Sequence, residues 1–128
     1  MKLNHDCIRD VLLDIEEHST LGKFFTIEQM TDREKLSKYS AKEITYTLVK
    51  LKEANIIDAS FQPPINNGIY YFANIGNLTY SGHEFLDNIR DPKIWKITKD
   101  KAGKIGSFAI STLAACAVQV GKEKLGLQ

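Results

Sequence analysis

The period of the apolar residues changes within a few positions at the centre of the chain, and that change limits the architecture more than any other feature. Ile44, Leu48 and Leu51 repeat at helical spacing behind Ser40-Ala41-Lys42-Glu43. That tetrapeptide is a capping box, in which the Ser hydroxyl and the Glu carboxylate satisfy each other's orphan backbone donors. The run ends at Asn55, a residue that tolerates the left-handed conformation closing many helices. Ile57, Ala59 and Phe61 then alternate with Asp58 and Ser60, the period of a half-buried strand. The spacing therefore predicts a helix over 41–54 followed at once by a strand. Pro63 and Pro64 cannot donate to a ladder and Asn67-Gly68 suits a type I′ turn, so Ile69 to Ile75, rich in aromatic and β-branched residues, is expected as the returning strand of a hairpin.

Before this centre, Ile8, Val11, Leu12 and Ile15 fall on one stripe of a helix over 6–18, capped by Asn4 or Asp6. Ser19 to Lys23 reads as a turn through Gly22, Phe24 to Ile27 as a short strand, and Glu28 to Lys38 as a weak helix anchored by Met30 and Leu36. After the hairpin, Thr79 or the Ser81/Glu84 pair caps a helix with Gly82, Phe85, Leu86 and Ile89 on one face. Asp91-Pro92 opens another, carrying Ile94, Trp95 and Thr98, which Gly103 and Gly106 are expected to break. Ser107 starts the last helix, where Ile110, Leu113, Ala114 and Ala117 line one face and Phe108 and Cys116 another.

That last helix raises the membrane question, because Ile105 to Gly121 holds no charged residue. The stretch sits near the lower limit of about 17 residues for a spanning helix, and it contains Ser107, Ser111, Thr112 and Gln119. A buried or subunit-interface helix is the expectation. A helix apolar on most sides needs a cover, and in a chain of 128 residues a second copy is the candidate.

The order of elements is helix, short strand, two helices, hairpin, then helices. It gives the fold expectation: mainly α with a small β-hairpin (α+β), a winged helix-turn-helix over 1–90 with a C-terminal helical extension over 91–128 that serves oligomerisation. Lys2 to Asp10, Tyr39 to Ile44, and Leu78 to Leu86 with Ile89, Arg90 and Trp95 resemble an uncharacterised family of short proteins found in prophages and bacterial genomes. The resemblance covers the chain to about Trp95 and implies a phage or mobile-element setting, with no activity attached. Leu48 to Ile57 together with Leu78 to Leu86 is also similar to winged-helix transcription regulators, in which a leucine-rich third helix runs into a strand and a Leu-Thr-x-x-Gly helix follows the wing.

Composition excludes several classes. Cys7 and Cys116 lie far apart and form no C-x-x-C pair, which argues against a disulfide framework or zinc site and for a reducing, cytoplasmic compartment. The N-terminus lacks the apolar core of a secretory signal. His5, His18 and His83 make no helical metal pair, and no nucleophile-elbow, zincin or phosphate-loop motif is present, so neither enzymatic activity nor a cofactor is expected.

Two binding readings remain. With Ile44, Leu48 and Leu51 inward, Lys42, Tyr46 and Lys50 turn outward with Thr45 to one side. In a helix-turn-helix, Lys42, Thr45 and Tyr46 would reach base edges of double-stranded DNA, and Ser40 or Lys50 its phosphates. Against this, 62–68 carries no positive charge, Glu43 and Glu53 lie on or near the reading helix, and the net charge is only +1. Residues 92–128 carry seven Lys against two acids, the distribution of a solvated helix face as much as of a phosphate-binding one. In the second reading, the uncharged wing tip Pro63, Pro64 and Ile65, with Tyr70 or Tyr71, contacts a host or phage protein. Phe108, Ile110, Leu113 and Ala117 are the expected dimer contacts.

Overall fold

Every α-helix but the last, which starts behind Ala109 without a side-chain cap, begins where the sequence supplies an acceptor for amide groups that have no partner inside the helix. Asn4 caps α1 (His5–His18), accepting from the Cys7 amide at 3.1 Å. Thr26 caps α2 (Ile27–Thr31) through a complete capping box, with Gln29 N donating to Thr26 Oγ1 at 3.1 Å and Thr26 N to Gln29 Oε1 at 2.9 Å. Ser40 caps α3 (Ala41–Glu53), accepting from the Glu43 amide at 3.1 Å. Here the expected box is half made. The Glu43 carboxylate accepts from Asn4 Nδ2 at 2.8 Å instead and ties the start of α3 to the start of α1.

The end of α3 is equally defined. Asn55 takes φ 59°, its amide donates to Lys52 O at 3.0 Å, and the Ile56 amide donates to Leu51 O at 2.9 Å. These are the two bonds of a Schellman motif. They turn the chain from α3 directly into β1 (Ile57–Gln62), which pairs antiparallel with β2 (Phe72–Leu78). Ala59 lies opposite Ile75 and Phe61 opposite Ala73, with an irregularity between Ile57 and Ala59.

The computed structural model describes residues 1–62 and 72–126. Among them the fold is mainly helical with one two-stranded antiparallel sheet, and the chain divides into two compact units, Met1–His83 and Glu84–Gln128. In the first unit, α1 packs on α3 and β2, and α3 on α2 and β1. Ile8, Leu12, Ile15, Met30, Leu36, Ile44, Leu48, Leu51, Ile57 and Ile75 are its largest fully buried side chains. Burial of this apolar area is the main favourable term of folding.

Several expectations need correction. The strand over Phe24 to Ile27 shrinks to a single bridge, in which Phe25 exchanges hydrogen bonds with Ile75 at 3.0 and 2.8 Å. It cannot run further because Thr26 is already the cap of α2. The helix over Glu28 to Lys38 is two pieces, α2 and a 3₁₀ turn at Glu34–Leu36, separated where Arg33 turns extended. Met30 and Leu36 are the buried anchors of the two pieces. β2 runs to Leu78 instead of Ile75, while Ile69 to Tyr71 and the Asn-Gly turn lie outside the described residues. Thr79 accepts from the Gly82 amide at 3.0 Å and α4 (Tyr80–Ile89) starts there, so Ser81 and Glu84 are already inside the helix.

The second unit contains α5 (Pro92–Ile105) and α6 (Ile110–Lys124), which pack on each other. Asp91 caps α5, and backbone amides of Ile94 and Lys93 hold its carboxyl below the usual range. Gly103 does not break α5; it is accommodated inside the helix, and Gly106, at φ 83°, ends it. Nor does Ser107 begin α6. Its hydroxyl is within hydrogen-bond distance of Thr112 Oγ1 at 3.1 Å, and the helix opens at Ile110.

Thr98 on α5 is fully buried, and Oγ1 has no hydrogen-bond partner among the described residues. A buried hydroxyl without a partner carries its desolvation cost uncompensated. Thr98→Val is therefore expected to raise the unfolding free energy by about 1 kcal/mol, measured by urea titration. A loss of stability would mean that the hydroxyl is satisfied in solution.

Candidate functional site

Ile44, Leu48 and Leu51 are fully buried, and the same rotation leaves Lys42 exposed and Thr45, Tyr46, Val49 and Lys50 partly exposed along the outer side of α3. The sequence pattern had pointed to four of these five as contact residues. Their polar atoms are largely engaged. Ser40 is used by the cap. Thr45 Oγ1 donates to Ala41 O at 2.7 Å, and Tyr46 Oη to Met1 O at 3.2 Å. Lys50 Nζ pairs with Glu53 at 2.9 Å and sits 5.4 Å from the centre of the Tyr46 ring. Lys42 makes no ion pair among the described residues.

Neighbouring basic side chains are drawn into the acidic surface of α1. Lys38 Nζ lies 3.2 Å from Asp10 Oδ2 and Lys35 Nζ 3.5 Å from Glu17 Oε2, while Arg33 pairs with Asp14. Tyr39 Oη also donates to Asp10, at 2.6 Å. Burial and that carboxylate together push the phenol above its ordinary range. The unit Met1–His83 holds nine Lys and Arg against eleven Asp and Glu, a net of −2, whereas Glu84–Gln128 holds eight against five, a net of +3. The helix expected to read DNA thus stands on the acidic unit.

Pro63, Pro64, Ile65, Tyr70 and Tyr71 lie outside the described residues. Met1, Leu21, Phe24 and Tyr80 are the exposed large hydrophobic side chains of the described part of this unit. Leu21 is 98% exposed and Phe24 60%, in the turn between α1 and the Phe25 bridge. Phe24 stands by the outer surface of the sheet, where a Cβ on Gly76 would come within 3.2 Å of its ring and 3.1 Å of Asp58 O. The expected dimer contacts divide. Phe108 is exposed and Ile110 half-buried, but Leu113 and Ala117 are buried within the single chain. An α5–α6 hairpin supplies a cover that one isolated helix could not.

Two buried polar residues were not anticipated from the sequence. Thr47 donates to Glu43 O at 2.8 Å and lies 3.4 Å from Cys7 Sγ. Asp14 is 3% exposed between Arg33 and His18. Its signal was present, since it sits three residues after Val11 and next to Ile15 on the core side of α1. Burial raises the Cys7 thiol to about 11, so it stays protonated at neutral pH and is a poor nucleophile. Among the described residues, no three His, Cys, Asp or Glu side chains are grouped to hold a metal ion. His83 is exposed beside Glu84 at the start of α4. No helix of the described residues is long and apolar enough to cross a membrane.

Residues 2–109 match the family described as Hypothetical protein (DUF2513). The chain belongs to that family. A relative in Haemophilus influenzae (strain Rd), described as an uncharacterized protein, is 29% identical over 99 residues, covering 77% of this chain and 76% of its own length. No solved structure matches. Within the span of the DUF2513 match lie α1 to α5 and both strands; α6, from Ile110 onward, lies beyond it.

Proposed function

We propose that this DUF2513 chain is a small winged-helix module that binds a partner protein, with α3 and the β1–β2 ribbon as its exposed elements. The observation that carries the reading is electrostatic. Neutralising phosphates supplies most of the affinity of DNA-binding proteins, yet the unit that presents α3 is net −2 and most of the basic groups around the helix already face carboxylates. Exposed Leu21 and Phe24 beside the sheet offer apolar contact area, and the sequence Pro63-Pro64-Ile65 carries no charge. The two free, buried cysteines suit a reducing compartment such as the cytoplasm. The likeness of the opening residues and of Leu78 to Leu86 to a prophage family supports a phage or mobile-element setting.

A second reading is a dimeric DNA-binding regulator. It is favoured by one feature, the alignment of Lys42, Thr45, Tyr46 and Lys50 on the outer side of a capped helix next to an antiparallel ribbon. Fluorescence titration of a labelled duplex across a salt series separates the two. Duplex binding that weakens steeply with salt and is lost in Lys42→Ala and Tyr46→Ala would replace the first reading with the second. The expected result is that neither substitution changes duplex binding at any ionic strength. Capture of a partner polypeptide should fall by about tenfold or more in Phe24→Asp or Ile65→Asp, the loss of one anchoring side chain at an interface centre.

A further inference from the structure

The two strands carry a single charged side chain, Asp58. It is exposed on the outer face of the sheet, between the buried Ile57 and Ala59. The irregularity of the ladder falls at this residue and brings both its carbonyl and its carboxylate near Gly76 of β2. A Cβ on Gly76 would stand 3.1 Å from Asp58 O and 3.4 Å from Asp58 Oδ2, and 3.2 Å from Cε1 of Phe24. Ile75 faces Ala59 on one side and is bridged to Phe25 on the other, so Phe24 approaches Gly76 from the edge of β2 opposite Asp58. The glycine leaves room for ring and carboxylate to meet over the same point of backbone. Ser19 Oγ donates to Gly76 O at 3.2 Å and Phe25 exchanges two hydrogen bonds with Ile75, which fixes the turn that carries the ring.

The carboxylate is unanswered within the chain. All 17 Lys and Arg lie among the described residues, and Asp58 pairs with none of them, Lys23 next to Phe24 included. Phe24 is 60% exposed, so aromatic surface and negative charge lie open side by side. That combination selects the occupant. A phosphate would be repelled by Asp58, and an apolar group alone would cover the ring but strip water from a carboxylate left without a partner. A guanidinium satisfies both walls: its weakly hydrated plane stacks on an aromatic ring while its fork of donors meets a carboxylate. Leu21, 98% exposed in the same turn, offers contact to an apolar neighbour of the arginine.

We propose that Phe24 and Asp58 form the recognition site for an arginine side chain of the partner polypeptide, stacked on the ring and paired with the carboxylate above Gly76. This rests on the protein-binding reading and adds to it the chemistry of the residue that is recognised.

An NMR titration of the ¹⁵N-labelled full chain with a capped leucine-arginine-leucine tripeptide tests the site. Saturable shifts are expected at the amides of Phe24, Phe25, Asp58 and Gly76. The citrulline counterpart of the peptide, equal in shape but uncharged, should bind more weakly by about threefold or more, and so should the arginine peptide to Asp58→Asn. Phe24→Leu, which keeps the turn apolar but removes the ring, should also weaken it. The isosteric Asp58→Asn keeps the test decisive if Phe24→Leu alters the turn. Absence of shifts at these four amides overturns the proposal, as does equal binding of the citrulline peptide or binding that Asp58→Asn leaves unchanged. Those results leave the protein-binding reading standing, whereas salt-sensitive duplex binding through α3 would remove that reading itself, so the two failures are distinct.

Discussion

Replacing Arg33 with Met is expected to lower the unfolding free energy at neutral pH by about 3–5 kcal/mol, the cost of stranding one partner of a buried ion pair. Asp14 sits on the core side of α1, paired with Arg33; His18 Nδ1 lies 3.4 Å from its carboxylate and 2.9 Å from its carbonyl. The guanidinium also lies 4.9 Å from the centre of the Phe25 ring. Arg33 thus joins α1, the break between α2 and the 3₁₀ turn, and the single bridge to β2. Burial outweighs the attraction of Arg33 and raises the Asp14 carboxyl above its ordinary value. A carboxyl whose folded pKa exceeds its unfolded value stabilises the fold below the unfolded value, and that contribution is lost as pH rises through the folded pKa. The Arg33→Met deficit should therefore be largest near pH 7 and shrink towards pH 4 as the stranded acid takes up a proton. Asp14→Leu/Arg33→Met should recover most of the loss, since an apolar pair of similar volume avoids the desolvation cost. Urea titrations at the two pH values check all three statements. A deficit below 1 kcal/mol, or one that grows on acidification, would contradict them.

Gly82→Ala is expected to destabilise the chain by about 3 kcal/mol or more, at the upper end of overpacking costs. A Cβ at position 82 would lie 2.0 Å from Ile56 O, a backbone atom fixed by the Schellman turn. The same carbonyl accepts from the Thr79 amide and the Thr79 hydroxyl, each at 3.0 Å, and that hydroxyl also donates to Asn55 O at 2.7 Å. Neither side can give way without breaking the cap of α4 or the end of α3. Thermal unfolding followed by circular dichroism reads the effect. An unchanged midpoint would mean that the two segments are not in contact in solution.

The parts of this fold that were legible from sequence are those fixed by local chemistry. Ser40, Asn4, Thr79 and Asp91 cap helices because their side chains answer amides two or three residues away, and Asn55 ends α3 because it accepts the left-handed conformation. The Ile57, Ala59 and Phe61 alternation marked β1 because a period of two gathers apolar residues on one face of a strand and scatters them around a helix. What was not legible depends on contacts distant in sequence. Glu43 left its capping box for Asn4, 39 residues away. Gly103 stays helical because α5 continues to Gly106, and one glycine costs a helix only about 1 kcal/mol. Thr26 could serve a strand or cap a helix, and the cap prevailed. The outer side of α3 was located correctly, but the pairing of the preceding Lys35 and Lys38 with Glu17 and Asp10 on α1 cannot be read from the spacing of the lysines.

An NMR titration of the ¹⁵N-labelled chain with duplex DNA at physiological salt tests most directly whether the outer side of α3 is a protein-facing or a DNA-facing surface. Amide signals of residues 41–53 should stay in place throughout. Saturable shifts concentrated at Lys42, Thr45, Tyr46 and Lys50 would contradict the protein-binding reading and return the helix to the major groove.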